Sequence, residues 1–451
     1  EAITNAIERG TLVFDYFGHG GEDGFAAERI LERPQVQDFF NPNTLPLLIT
    51  VTCDFSRFDN PVRTTAGELT FWNANGGSAS MITTTREVFI TTGQDFNQEL
   101  IRVLLQYNNE DLSIAATLAE VKSISIFKDG KEVYQNSIGF ADIQHQLKAE
   151  AETVYRIGSI TKTFTAAIIM QMVDEGKLTL DTKLDEYFSE LPNADTITIE
   201  HMLRHRSGLY NFTNKEDYLQ WAEKAFKKGD ILAKIEENGT SFEPNEKTDY
   251  SNTNYVLLAY IAEIIDSKSF AAILKKRITQ PLRLSKTKYG GKIHYKGGEA
   301  LSYNMMSDWE IATETHMSIP SGAGAIISTP TDLNAFYHAL MNGKVVSKKS
   351  FELMKKMVDG FGIGLFQFPF YDKKALGHNG GIDGFQSMSG YFEEEKVSIS
   401  YISNGVVMPV NDIILGALNV YFGKDYPKYN PQYFPNFVKR SMDRKHIVAK
   451  S

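Results

Sequence analysis

The chain has 451 residues, 42% hydrophobic, 23% charged and 12% aromatic, which excludes a single small module and excludes disorder throughout; at about 150 residues per domain, two or three domains are expected. With 47 Lys and Arg against 56 Asp and Glu the net charge is −9, so no global positive field exists to condense on phosphates and nucleic acid is excluded as the main partner. The one cysteine, Cys53, excludes an internal disulfide or a Cys-rich metal site, and no apolar run approaches the roughly 20 residues of a membrane helix.

The chain starts at Glu1 rather than Met, with no signal-peptide pattern, and reads as a mature form or a fragment. Residues 1–122 alternate strand and helix. Thr11–Phe17, ending in Gly-His-Gly-Gly, and Leu45–Thr52, ending in Cys-Asp, are the length of buried parallel strands; Gly76–Thr84 reads as a third, and Asp95–Gln106 and Leu112–Lys122 as helices. The pattern is α/β, with few strands before the first loop.

From Ser123 the pattern restarts with a β-hairpin, Ser123–Lys128 and Glu132–Gly139 about Asp129-Gly130. Helices then dominate. Ile160–Glu175 has a helical period and stops at Gly176, and Ile199–Leu203, Lys215–Phe226, Asn254–Asp266 and Thr331–Met341 follow. Strands return at Phe385–Phe392 and Val397–Ser403, before an amphipathic helix from Asn411 to about Phe422. This order predicts one antiparallel sheet closed by both ends of the segment, with a helical region inserted. Residues 427–451, rich in Tyr, Pro, Lys and Arg, read as a loosely held tail.

Ser159-Ile160-Thr161-Lys162 opens the first strong helix. Residues i and i+3 share a helix face, so Lys162 can bring its amine beside the Ser159 hydroxyl. A serine alcohol needs such a base to act as a nucleophile at neutral pH, and backbone N–H groups at a helix start can stabilise an oxyanion. Asp249-Tyr250-Ser251-Asn252 opens a later helix, and Gly377-His378-Asn379-Gly380-Gly381 lies just before a strand.

These three elements, in this order, resemble the penicillin-recognising serine hydrolases, in the branch of class C β-lactamases, D-Ala-D-Ala carboxypeptidases and esterases. The resemblance runs from about residue 123 to 426 and includes Thr153–Ser159, His201–Leu209, Pro320–Leu333 and Gly377–Phe385. It implies Ser159 as nucleophile, Lys162 as its activating partner and Tyr250 as a phenolate-type base whose pKa Lys162 and His378 would lower. It further implies Asn252 as a ligand of the substrate amide, and His378, Asn379 and Gly380 as the strand edge under the substrate. The N–H of Gly381 would pair with that of Ser159 as oxyanion hole. His378 stands where many β-lactamases carry Lys, so a permanent cation for a substrate carboxylate is missing, which favours peptidase or esterase chemistry.

In the first segment, His19 and Cys53 end adjacent apolar runs, and strand ends of an open parallel sheet converge on one edge. A Cys–His pair there can form a thiolate nucleophile. Phe14–Gly24, Leu47–Asp59 and Gly67–Arg86 resemble the gingipain-like cysteine peptidases of caspase-type fold, closest to the type IX secretion sortase. That resemblance implies Cys53 as nucleophile and His19 as base, in a segment that begins part-way into such a domain.

The leading expectation is a serine hydrolase working through an acyl-enzyme on an amide or ester of a small molecule or peptide, with no cofactor and no metal. The alternatives are a cysteine peptidase through Cys53 and His19, and a penicillin-fold protein that binds cell-wall peptide without turnover. Both resemblances point to the periplasm or cell envelope.

Overall fold

The structure, a computed structural model, describes residues 122–305, 309–405 and 410–423, and before them 7, 13–17, 20–22, 24–25, 31–41, 47–51, 64–71, 73, 78 and 80–83. Two compact units divide the chain, Glu1–Leu118 and Ala119–Ser451. The helix expected over 95–106, residues 112–121 of the one expected over 112–122, and the tail 427–451 lie outside the described residues, while Lys122 opens a strand instead.

In the first unit, β1 (Val13–Phe17), β2 (Leu47–Val51) and β3 (Ser80–Thr83) form a parallel sheet in that order, with Val13 opposite Leu47 and Leu47 opposite Ser80. All three runs expected as parallel strands are present. Leu48 packs with Phe25, Leu31, Val36 and Phe39 in a small apolar cluster.

The second unit is built on a six-stranded sheet. Its strands are β4 (Lys122–Lys128), β5 (Lys131–Ile138), β6 (Phe366–Phe370), β7 (Lys373–Ile382), β8 (Phe385–Phe392) and β9 (Val397–Ser403), in the order β6-β7-β8-β9-β4-β5. Neighbours are antiparallel throughout, so the two ends of the segment do close one sheet around inserted helices. Every residue of β9 is buried because both faces are covered. Alternate side chains serve each face: Val397, Ile399 and Tyr401 cluster with Ile414 and Leu418 of the C-terminal amphipathic helix, Val410–Phe422. On the other face Ser400 donates to Asn334 Oδ1 at 2.9 Å, from the helix Pro330–Met341.

The central helix α1 (Thr161–Asp174) is buried from Thr161 to Met170, on all sides rather than on one stripe. Such a helix must be enclosed by others, and α2 (Asn252–Asp266) and the short turn Ser321–Gly324 lie against it. Gly176, at φ +68, ends it as expected.

Two elements depart from the sequence pattern. The motif Gly377–Gly381 lies just before the strand β8, as expected, and is itself part of a ten-residue strand, β7, that the periodicity did not show; its glycines fit where side chains cannot, since a Cβ on Gly377 would lie 1.9 Å from the Ser389 carbonyl. Its partner β6 carries Pro369, a residue tolerated on edge strands, which hid it from the sequence pattern. The helix expected over Lys215–Phe226 is only Tyr218–Trp221. Beyond it the backbone is captured by a loop, with the Ala222 carbonyl accepting from His316 N–H at 2.7 Å and the Phe226 N–H donating to Ser318 Oγ at 3.0 Å.

Candidate active site

Ser159 sits in a single 3-10 turn, Gly158–Ile160, that feeds directly into α1. Gly158 has φ +49, and a Cβ there would meet the Gly381 nitrogen at 2.8 Å; a Cβ on Gly380 would meet the Ile157 carbonyl at 2.1 Å and the Ser159 nitrogen at 2.9 Å. Glycine is therefore required on both sides of this approach, which brings the backbone of Gly380 and Gly381 against that of Gly158 and Ser159. Since β6 pairs with β7 only as far as Gly377, the stretch 378–382 is unpaired on that edge.

Lys162, one turn on, is fully buried. Its Nζ lies 2.9 Å from Ser159 Oγ, 2.7 Å from Asn252 Oδ1 and 2.8 Å from the Ala323 carbonyl. Burial holds the amine well below the usual lysine range. A neutral amine has two N–H groups and one lone pair. Asn252 and Ala323 offer acceptors for the two N–H groups, and the lone pair is left for the Ser159 hydroxyl proton.

Tyr250 precedes α2, and its hydroxyl hydrogen-bonds the Ser159 side chain. The expected lowering of this phenol does not occur. Burial pushes it up, above the ordinary tyrosine value, and Lys162 Nζ stands over the ring, 4.8 Å from its centre. His378 supplies no cation either. It is 2% exposed, with its ring 4.4 Å from Phe366, and its Nδ1 donates to the Asn379 carbonyl at 2.5 Å. Burial brings its pKa down to about 3. With the phenol raised and the lysine amine lowered by burial, an uncharged Lys162 has its lone pair available to take the Ser159 hydroxyl proton across the 2.9 Å contact.

Asn252 holds Lys162 through Oδ1 and donates from Nδ2 to Thr213 Oγ1 at 2.9 Å, while its backbone N–H goes to Asn211 Oδ1 at 3.1 Å. Its amide is engaged mainly by the protein, with one Nδ2 hydrogen left for a substrate. Asn379 is half-buried and Gly381 exposed, on the open edge of β7.

Sequence reasoning missed several groups. His205 stacks on Tyr250 at 4.4 Å and accepts the Ser251 N–H at Nδ1, 3.2 Å away; burial holds it well below the ordinary histidine range. The Ala323 carbonyl reaches Lys162 because Gly322 lets its turn sit against α2, where a Cβ would be 2.5 Å from that of Ala259. Neither leaves a local pattern, although both lie in stretches matched by the resemblance. His19 and Cys53 lie outside the described residues. Among the described residues no group of three His, Cys, Asp or Glu could hold a metal, and no helix is long and apolar enough to cross a membrane.

A serine on a helix-leading turn, a buried lysine on its hydroxyl and a glycine-rich strand edge against its backbone define the class of penicillin-fold serine hydrolases. The profile of the Beta-lactamase family matches residues 119–419, so the chain belongs to that family and is a serine hydrolase of amide or ester bonds. The profile of Peptidase family C25 matches residues 1–142, in keeping with the gingipain-like character of the first segment. The teichoic acid D-alanine hydrolase of Staphylococcus aureus is 26% identical over 61% of this chain and 68% of its own. A D-amino acid amidase from Ochrobactrum anthropi SV3, solved with L-phenylalanine amide, is 25% identical over 73% of this chain and 96% of its own, with a TM-score of 0.60. The octameric penicillin-binding protein homologue of Pyrococcus abyssi is 27% identical over 73% of this chain and 78% of its own, with a TM-score of 0.62.

Proposed function

We propose that Ser159 attacks the carbonyl of an aminoacyl amide or ester while Lys162 takes its proton. The N–H groups of Ser159 and Gly381 receive the oxyanion, and Tyr250, as a neutral phenol, protonates the departing amine or alkoxide. Lys162 passes that proton to the Tyr250 phenolate, which restores both groups; water then attacks the acyl carbonyl, giving a proton to Lys162 while Tyr250 protonates the departing Ser159 oxygen, and the same return from Lys162 to Tyr250 closes the cycle. The carrying observation is the 2.9 Å contact between Lys162 Nζ and Ser159 Oγ, with Asn252 and Ala323 on the remaining positions of the amine.

The substrate follows from charge. His378 is neutral and enclosed, so it gives a carboxylate beside the scissile bond no partner, and uncharged leaving groups are favoured over the terminal carboxylate of a peptide. The relatives that act on D-alanyl groups of teichoic acid and on D-amino acid amides fit this class, and they favour a cell-envelope location. Hydrolysis of an aminoacyl p-nitroanilide and p-nitrophenyl ester, lost in Ser159→Ala, is the expected result, with a free-carboxylate dipeptide turned over more slowly. Binding of these compounds without turnover would favour the non-catalytic alternative.

A second reading rests on the C25 match over 1–142. In it residues 1–122 are a gingipain-like segment with Cys53 as nucleophile and His19 as base, 123–426 the serine hydrolase domain, and 427–451 a tail. Rapid alkylation of Cys53 near pH 6 that disappears in His19→Ala supports it; alkylation at the rate of an ordinary thiol of pKa about 8.5 opposes it.

A further inference from the structure

We propose that Arg156 is a positioning residue of the oxyanion hole, acting through Asp383; this rests on the Ser159 reading above. Arg156 stands three residues before Ser159, on the strand Tyr155–Arg156, and Asp383 two residues after Gly381, at the turn joining β7 to β8. Both side chains are buried, at 2% and 1% exposure. Arg156 Nη1 donates to Asp383 Oδ2 at 2.7 Å and to the Thr315 carbonyl at 2.9 Å; Nη2 donates to Glu314 Oε1 at 2.6 Å and to the Gly291 carbonyl at 2.9 Å. Asp383 Oδ1 accepts the Thr315 N–H at 3.0 Å, and Glu314 Oε1 also accepts the Ile293 N–H at 2.7 Å.

Two short chain segments run from this ion pair to the reacting groups, Ile157-Gly158-Ser159 on one side and Ile382-Gly381-Gly380 on the other. Their far ends are in contact through glycine, as the 2.8 Å and 2.9 Å approaches of the built Cβ atoms on Gly158 and Gly380 require. A second tie lies beside them, Ser387 Oγ donating to the Ile157 carbonyl at 2.8 Å. The serine turn and the β7 edge belong to different elements, more than 200 residues apart in sequence, and their separation sets whether two N–H groups converge on one oxygen. The planar Arg156 guanidinium fixes it by holding four acceptors in one plane, Nη1 on Asp383 and the Thr315 carbonyl and Nη2 on Glu314 and the Gly291 carbonyl, a fixed geometry that a point-like ammonium does not impose. Asp383 has φ +53 and is followed by glycine, the Asp-Gly pairing of a tight hairpin, so its carboxylate is held by the backbone as well.

Asp383→Asn is the informative variant. Glu314 still neutralises Arg156, so no buried charge is left alone. The amide, however, presents an N–H₂ to one of two donors, Arg156 or Thr315 N–H, and the link loosens. Sites are counted by fluorophosphonate titration, so that misfolded protein does not enter kcat, and Ser159→Ala is run beside it. We expect kcat per titrated site to fall about tenfold or more with KM within about twofold, since a shift of about 1 Å at a reacting centre costs on the order of 10²-fold. A boronic acid, which forms a tetrahedral adduct, should lose affinity in parallel, and Arg156→Lys should do the same more strongly. Wild-type kcat in Asp383→Asn, or a fall in kcat with unchanged boronate affinity, overturns the positioning role alone. Wild-type activity that survives Ser159→Ala overturns the Ser159 reading and this one with it.

Discussion

Lys162 Nζ lies 2.9 Å from Ser159 Oγ in a pocket where burial keeps the amine uncharged. The pair is therefore set to move a proton from serine to lysine without first removing one from lysine.

This fixes the sign of the pH dependence. Only neutral Lys162 accepts the proton, so kcat/KM rises with pH through the lowered lysine pKa and is already level near the ordinary lysine value, where an unshifted lysine would still be gaining activity. Lys162→Ala and Lys162→Arg should each lower acylation by about 10²-fold or more. A rise centred near the ordinary lysine value in stopped-flow acylation would contradict the neutral-lysine account.

Tyr250→Phe should also lower acylation by about 10²-fold, through loss of a proton donor rather than of a phenolate. Combined with Lys162→Ala the loss should be smaller than the product of the two, because they serve one proton path. Fully multiplicative losses would show that each works alone.

His378 gives a stability prediction. The unfolded chain protonates this ring near its ordinary value of 6.5, whereas the folded protein does so only near about 3. Between those values the unfolded state holds the extra proton, so stability falls as pH falls through that window and the effect is absent above it. In urea titrations, His378→Asn should reduce the stability lost between pH 7 and about pH 4 by on the order of 3 kcal/mol, whatever it does at pH 7. Parallel losses in both proteins would mean that the ring is not held neutral.

Gly380→Ala places a Cβ 2.1 Å from the Ile157 carbonyl and 2.6 Å from Ser387 Oγ. Thermal unfolding should show a loss of roughly 1–3 kcal/mol, with kcat reduced because the strand edge moves off the serine turn. Unchanged stability would show that β7 does not approach Ser159 as closely as described.

Much of this site is legible in the sequence, for a reason of spacing. Ser159 and Lys162 meet because they are three residues apart on one helix, and Asn252 starts a helix whose apolar period is plain. The strand Phe385–Phe392 and its neighbour Val397–Ser403 alternate between two covered faces, and their bounds follow from their flanking turns. The strand character of Gly377–Gly381 is not local, since its glycines answer to Ser389, Ile157 and Ser159 from other elements. The charge states are not local either. A tyrosine beside a lysine suggests a lowered phenol, but burial acts on both groups and leaves both uncharged, and burial is a property of the assembled core. Arg156 and Asp383 are separated by most of the domain and share no pattern that would pair them.

The most direct test is peptide mapping after reaction with a fluorophosphonate. The account predicts a single adduct on Ser159, formed at neutral pH, slowed by about 10²-fold in Lys162→Ala and unaffected by Cys53→Ala, because the groups that touch Ser159 come from residues of the second unit. An adduct on another residue, or labelling of Ser159 at the same rate without Lys162, would contradict it.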